Sequence, residues 1–262
     1  MKSNEILEFW NSRAHLGSLA GTNDLGLKQL EMQTIATYIS DGQRVLDLGC
    51  GSGTAAFYLA ENKSLEIMGM DFSPEMVKQA NNERDMKGFS KSHLNFAVQD
   101  VRKLDELILV QANFYDVVLT ERVLINLETW DEQKKAIRDI ISLLRPGGIY
   151  LMCENLREGL DNLNEMRGSV GLEPISSPWH NRYLQKAEVE EIDFAELVEF
   201  RDFTSVYYLF SRVINAWLAK EQNEDPKYDA PINRLALELS QFRQFDSLDV
   251  GQTRLWIFRR TE

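Results

Sequence analysis

Five short segments, RVLDL (44–48), LEIMGMD (65–71), HLNFAVQD (93–100), FYDVVLT (114–120) and IYLMCE (149–154), are almost wholly apolar and alternate with helical patterns. An apolar strand without polar alternation is covered on both faces, and strands separated by helices pair in parallel with the helices on either side. The helices are legible between them. Residues 25–40 and 53–62 carry apolar residues at helical spacing, Ser73-Pro74-Glu75 opens a helix with a capping serine and a first-turn proline, and 130–144 is amphipathic, closing at Arg145-Pro146-Gly147-Gly148. The chain is therefore expected to build an α/β, Rossmann-like, mostly parallel sheet with helices on both faces.

The first strand runs into 45-VLDLGCGSGT-54, with Gly49, Gly51 and Gly53 at alternate positions around Cys50. In open parallel sheets ligands bind beyond the carboxyl ends of the strands, and glycines there let the backbone approach the ligand closely. Dinucleotides and S-adenosylmethionine both use such a loop. The dinucleotide fingerprint requires a third glycine where Thr54 stands, and Asp47 places a carboxylate directly before the loop. A carboxylate there repels a diphosphate and attracts a cation. S-adenosylmethionine carries an ammonium and a sulfonium and no phosphate, so the charges favour it. Asp71 ends the second strand, placed for ribose hydroxyls, and Asp100 ends the third, placed for an adenine amino group.

With these residues in order, the chain resembles the class I S-adenosylmethionine-dependent methyltransferases. VLDLGCGSGT is similar to their first motif and GMDFSPEMVKQA to their acidic second-strand motif. VQDVRKL, YDVVLTERVLINL and LLRPGGIYLMCE match the regions that follow, so that the resemblance covers 43–154. It implies a seven-stranded sheet closed by an antiparallel hairpin, which fits the strand-like AELVEFRDF (195–203) and RLWIFRR (254–260). It also implies the cofactor contacts: Gly49, Cys50 and Gly51 on the methionyl part, Gly53 for close helix packing, and Asp47 orienting the amino group. Asp71 would take the ribose, Phe72 and Met76 the adenine face, Asp100 and Val101 its edge, with Thr120 and Glu121 near the methionyl ammonium.

Three regions follow: 1–42 as an N-terminal lid and helix, 43–154 as the cofactor-binding core, and 155–262 completing the sheet with helical cap insertions at 155–193 and 204–253. In the lid segment FWNSRAHLGSLAGTNDLG (9–26), Arg13 is a candidate for the methionyl carboxylate and Trp10 for the lid or the core. The helical segment 205–219 is apolar almost all round, so it is buried or covers something, and it is read as part of a substrate cap.

Methyl transfer needs alignment of acceptor, methyl and sulfur, and a base only where a hydroxyl must lose its proton. Related small-molecule enzymes place a histidine shortly after the fourth strand. Here Asn126 stands near that position, which removes the obvious base. The loop 178-PWHNRYL-184 supplies a replacement, His180, and Glu121 is the second candidate for proton handling. Arg122, Asn126, Glu154, Trp179, His180, Asn181, Arg182, Tyr183 and Tyr207 are the candidates for the acceptor wall; no metal ligands are assigned. PWHNRYL and the segment 157–175 are also loosely similar to methyltransferases associated with bacterial surface-polysaccharide genes, which points to a sugar or sugar-linked acceptor.

The formal charge of −12 argues against a general phosphate-backbone binder, so a small-molecule acceptor is expected and nucleic acid is not. A tRNA or rRNA methyltransferase and a non-catalytic cofactor-binding protein are the alternatives. MKSNEILEFWNSR has acids and no long apolar core, and no stretch approaches the ~18 apolar residues of a membrane span. A cytoplasmic protein with Cys50 and Cys153 reduced is expected, and self-association stays open.

Overall fold

The computed structural model describes residues 2–261. The strands are β1 (Arg44–Leu48), β2 (Glu66–Asp71), β3 (Leu94–Val98), β4 (Tyr115–Glu121), β5 (Leu144–Asn155), β6 (Glu196–Arg201) and β7 (Thr253–Arg259). They form one seven-stranded sheet in the order β3-β2-β1-β4-β5-β7-β6. β1 pairs in parallel with β2 on one side and β4 on the other, so the winding reverses beside β1 and opens a crevice at its carboxyl end. β7 runs antiparallel to both β5 and β6, giving the expected closing hairpin.

Alternation along each strand sends side chains to two separate cores. Val45, Val117, Leu119, Leu151 and Ile257 face helices α2 (Leu25–Ala36) and α3 (Thr54–Asn62) on one side. Leu46, Leu48, Val118, Tyr150 and Met152 face α6 (Trp130–Leu143) on the other. Helix α4 (Pro74–Lys87) starts as its sequence suggests: Ser73 Oγ accepts from the Met76 amide at 3.2 Å, and Pro74 fills the first turn. The Arg145–Gly148 turn is not a loop before β5 but a bulge inside it. The β4 register jumps from Tyr115↔Leu144 to Val117↔Ile149, and a side chain at Gly148 would meet the Arg145 and Asp116 carbonyls at 2.9 and 3.0 Å.

The N-terminal helix α1 (Lys2–Arg13) and a 3-10 segment, Ala14–Leu19, lie across the carboxyl edge of the sheet. Ser73 Oγ donates to Asn11 Oδ1 at 2.6 Å and Arg102 to Ser3, tying α1 to the loops after β2 and β3. Helix α5 (Asp105–Gln111) joins β3 to β4, α7 (Arg157–Ser169) follows β5, and the short helix α8 (Lys186–Glu190) precedes β6.

The insertion between β6 and β7 holds α9 (Ser205–Tyr208), a π-helical stretch (Leu209–Ile214), α10 (Asn215–Glu221) and α11 (Pro231–Leu239). Val206, Tyr207, Tyr208 and Val213 are buried, as a helix lacking a polar face requires, whereas Trp217 and Leu218 reach solvent. This insertion thickens the core over α2 and α7 and contributes no residue to the large cavity, so the expected substrate cap at 204–253 is corrected: the cavity is closed from elsewhere.

Candidate active site

A cavity of about 470 Å³ lies at the carboxyl end of β1, within the range of small-molecule sites. One half is built by the glycine loop. Gly49, Gly51 and Gly53 all have positive φ (73°, 55° and 88°), a region costly for residues with a Cβ. Their neighbourhoods differ. A Cβ on Gly49 would strike Val123 Cγ2 at 2.2 Å and one on Gly53 would strike Phe96 at 2.8 Å, while nothing lies within 4 Å of one on Gly51. Gly49 and Gly53 are thus bare for packing, and Gly51 presents bare backbone to open space.

The carboxylate of Asp71 binds this loop to β2. Its Oδ2 accepts from the Gly51 amide at 2.9 Å and its Oδ1 from the Ser73 amide at 2.8 Å. Burial pushes its carboxyl up to about 6 even against those two donors. Phe72 and Met76, then Asp100 and Val101 after β3, line the wall beyond. Asp100 is held by the Arg102 guanidinium, Nη2 to Oδ2 at 2.6 Å; burial opposes its ionisation, but these bonds outweigh it and hold the carboxyl below the usual range.

At the tip of β4 stands a cluster of charge. Glu121 is bonded by Lys28 of α2 and by Arg122 Nη2 at 3.2 Å, and Arg122 itself has a φ of 58°. Burial would raise the Glu121 carboxyl, but Lys28 and Arg122 hold it below its ordinary value, so it stays ionised and is a poor base. Asp47 lies beneath the glycine loop, 2% exposed, with Oδ2 making no hydrogen bond. Burial first and the Glu121 charge next push its carboxyl up to about 7.

The other half of the cavity is aromatic. In the turn at 178–181 the Asn181 amide donates to the Pro178 carbonyl at 3.0 Å. The turn is anchored by Arg182, whose amide bonds the Ile125 carbonyl at 2.6 Å and whose guanidinium holds Gln133 Oε1 at 2.7 Å and Glu188. So placed, His180 is packed among Phe9, Trp10 and Trp179, with ring centroids 4.6, 5.7 and 5.2 Å away. Trp10 Nε1 donates to Asn126 Oδ1 at 3.2 Å, and Asn126 Nδ2 donates to the Arg122 carbonyl at 3.0 Å. Arg13 lines the same wall, its Nε bonded to the Ala20 carbonyl at 2.6 Å.

Of the residues singled out from sequence, Arg13, Gly49, Cys50, Gly51, Asp71, Phe72, Met76, Asp100, Val101, Glu121, Arg122, Asn126, Trp179, His180 and Asn181 all face this one cavity. Seven do not. Asp47 and Gly53 support the loop from below. Thr120 turns away to bond the Tyr150 hydroxyl at 2.7 Å. Glu154 is fully buried and accepts the Val123 and Leu124 amides at 3.0 and 3.1 Å, capping the turn that carries Asn126; burial pushes it up to about 7. Arg182 anchors the histidine loop, and Tyr183 bonds Gln252 at 3.1 Å. Tyr207 is buried between α2 and α9, donating to Asp24 Oδ1 at 2.6 Å. Glu154, Arg182, Tyr183 and Tyr207 are therefore corrected from acceptor contacts to supports. Lys28 was missed from sequence: in LGLKQLEMQTIA it stands among Gln29, Glu31 and Gln33, and nothing local marks it.

Residues 39–190, more than half of the chain, match the methyltransferase domain family. The chain belongs to that family. It is a class I S-adenosylmethionine-dependent methyltransferase. The ubiquinone biosynthesis O-methyltransferase of Coxiella burnetii is 26% identical over 204 residues, covering 77% of this chain and 81% of that one. Two solved structures share the fold. The complex of a Haloferax volcanii putative methyltransferase with the Trm112 activator aligns with a TM-score of 0.60 at 18% identity, over 97% of this chain and 98% of that one. Magnesium protoporphyrin IX methyltransferase from Synechocystis, with S-adenosylhomocysteine bound, aligns with a TM-score of 0.56 at 16% identity, over 90% and 84%.

The residues present fit S-adenosylmethionine. Glu121, ionised at the cavity wall, and Asp47 Oδ2 beneath it, which makes no hydrogen bond, suit a ligand bringing positive charge, and Gly51 leaves the loop backbone open. No helix among the described residues is long and apolar enough to cross a membrane.

Proposed function

We propose that this methyltransferase acts on a hydroxyl of a small, ring-bearing acceptor, with His180 receiving the hydroxyl proton. The observation that carries the reading is the position of His180. It is held by three aromatic rings in the cavity that the glycine loop, Asp71 and Asn126 also line, Asn126 standing where related small-molecule enzymes place their base. An imidazole from the loop after β5 would then stand in for the one that related enzymes carry after β4.

S-adenosylmethionine, when bound, supplies an electrophilic methyl group on a sulfonium. The chain's own residues do the rest. Gly49 and Gly51 would hold the methionyl part, Asp71, Phe72 and Val101 the nucleoside, and Glu121 the methionyl ammonium. Phe9, Trp10 and Trp179 offer faces against which a sugar or aromatic ring stacks, and Asn181 Oδ1, buried without a hydrogen bond, accepts from a donor on that ring. The α1 helix over the cavity excludes water, so the hydroxyl oxygen meets the methyl group rather than solvent. The proton of that hydroxyl would pass to the His180 imidazole as the oxygen takes the methyl group, whose bond to sulfur breaks with its electron pair left on the sulfur. The name of the Coxiella relative, an O-methyltransferase, supports an oxygen acceptor. With a net charge of −12 and no basic surface in its sequence pattern, the protein suits a small acceptor better than RNA, and a cytoplasmic site of action fits a donor made in the cytoplasm.

The test is methyl transfer from isotopically labelled S-adenosylmethionine to catechol, methyl glucoside and ethanolamine. Label on a hydroxyl oxygen of either ring compound, reduced at least 100-fold in His180→Ala with cofactor affinity retained, is the expected result. Label only on the ethanolamine nitrogen would remove both the hydroxyl and the base.

A further inference from the structure

Glu31 is a buried carboxyl that the proposed reaction does not use. It lies on α2, one helical turn after Lys28, and is 0% exposed. Neither of its oxygens accepts a hydrogen bond. Its nearest cation is Arg122, with Nη1 3.4 Å from Oε1, and that same guanidinium reaches Glu121 Oε1 with Nη2 at 3.2 Å. The Glu31 and Glu121 carboxyls lie within hydrogen-bonding reach of each other. A chain of charge thus runs from the cavity wall into the core: Lys28, Glu121, Arg122, Glu31. Cys153 of β5 and Tyr208 of α9 are the other titratable groups that face Glu31.

Two carboxyls this close, one sealed from water, do not ionise together without help. Glu121 has the stronger claim to the negative charge, since Lys28 and Arg122 both bond it and it opens on the cavity. A proton on Glu31 then gives the buried pair the donor that two carboxylates lack. Burial, outweighing Arg122, pushes the Glu31 carboxyl up to about 8.

We propose that Glu31 holds a proton in the free protein and releases it when a cation settles against Glu121, so that cofactor binding draws a proton out of the core beneath the site. The proposal rests on the reading that the methionyl ammonium comes to Glu121. With Glu31 neutral, Lys28 and Arg122 already exceed Glu121 by one positive charge; the ammonium adds a second, and the ionised form of Glu31 offsets it. Glu31 is a positioning residue: it touches neither cofactor nor acceptor, and acts through Arg122 and Glu121 on the wall that does.

The test is calorimetric titration of the full chain with S-adenosylmethionine at pH 7 in buffers of different ionisation enthalpy, native beside Glu31→Gln. The native protein is expected to release close to one proton per cofactor bound. Glu31→Gln, neutral and of the same shape, is expected to release markedly less and to bind roughly tenfold more weakly at pH 7, because a coupled proton is worth tenfold per pH unit. If the variant does not fold, the native dissociation constant measured from pH 6 to 8 serves instead. It is expected to fall as pH rises towards the value at which free Glu31 ionises, and then to level. Equal heats in all buffers, or a pH-independent native affinity, would overturn the proposal alone. So would undiminished release from the variant, which would move the proton to Asp47 or Asp71. A native protein that binds no S-adenosylmethionine would overturn the cofactor reading, and this proposal with it.

Discussion

Trp10 Nε1 and Asn126 Oδ1 meet at 3.2 Å across 116 residues of chain. The bond fastens the N-terminal helix to the loop after β4, and with it the aromatic half of the cavity to the cofactor half. Trp10→Phe keeps a ring against His180 and removes only this bond. A net hydrogen bond of about 1 kcal/mol converts to roughly fivefold. S-adenosylmethionine affinity is therefore expected to weaken by about that factor, read by equilibrium binding, with little change in melting temperature.

The glycine loop separates packing from binding at two positions. Gly49→Ala puts a methyl group 2.2 Å from Val123 Cγ2 at a φ of 73°, and should cost about 2–4 kcal/mol of stability in thermal melts. Gly51→Ala meets nothing within 4 Å. It is expected to lose only about 1–2 kcal/mol, from its positive φ, while losing cofactor binding at least tenfold. Equal binding losses scaled to stability at both sites would show that the loop matters only as structure.

Asp71 ties the Gly51 amide to the start of the α4 turn. Asp71→Asn keeps the size of the side chain but presents an NH₂ where one of two amide donors needs an acceptor. Loss of a charge-assisted bond of about 1.5–3 kcal/mol predicts binding weakened by about 10- to 150-fold, checked by the same titration.

Stability without cofactor should fall as pH rises from about 5 to 8. Asp47 and Asp71 are pushed up to about 7 and about 6, and Glu31 to about 8, so the folded chain keeps protons that the unfolded chain has already lost. Stability from a raised carboxyl is fully present below its unfolded value and is lost as pH climbs through the folded one. Thermal melts across this range check the slope, and Asp47→Asn should flatten it.

The sheet and the cofactor half were legible because their signals are local. An apolar strand, a glycine turn and an acid at the next strand end each declare themselves within about ten residues, and Asp71, Phe72, Asp100 and Val101 all reach the cavity. The rest depends on contacts far apart in sequence. The apolar segment at 205–219 had to be buried, but nothing in its own residues says that it packs on α7 and α11 rather than over the acceptor. In PWHNRYL, the turn sends Trp179, His180 and Asn181 into the cavity and leaves Arg182 and Tyr183 to anchor it, a division that composition alone does not reveal. Lys28 and Glu31 were hidden for the same reason: their partners, Glu121 and Arg122, arrive about ninety residues later.

The most direct test of the account is where the methyl group goes. Native protein and Gly51→Ala would be incubated with labelled S-adenosylmethionine and, separately, with a low-molecular-weight metabolite extract, total tRNA and ribosomal RNA, and a protein lysate. The account predicts label in the small-molecule fraction alone, bound to oxygen, and reduced at least tenfold with Gly51→Ala at cofactor concentrations below the native dissociation constant. Label entering RNA or protein, with none in the small molecules, would contradict it.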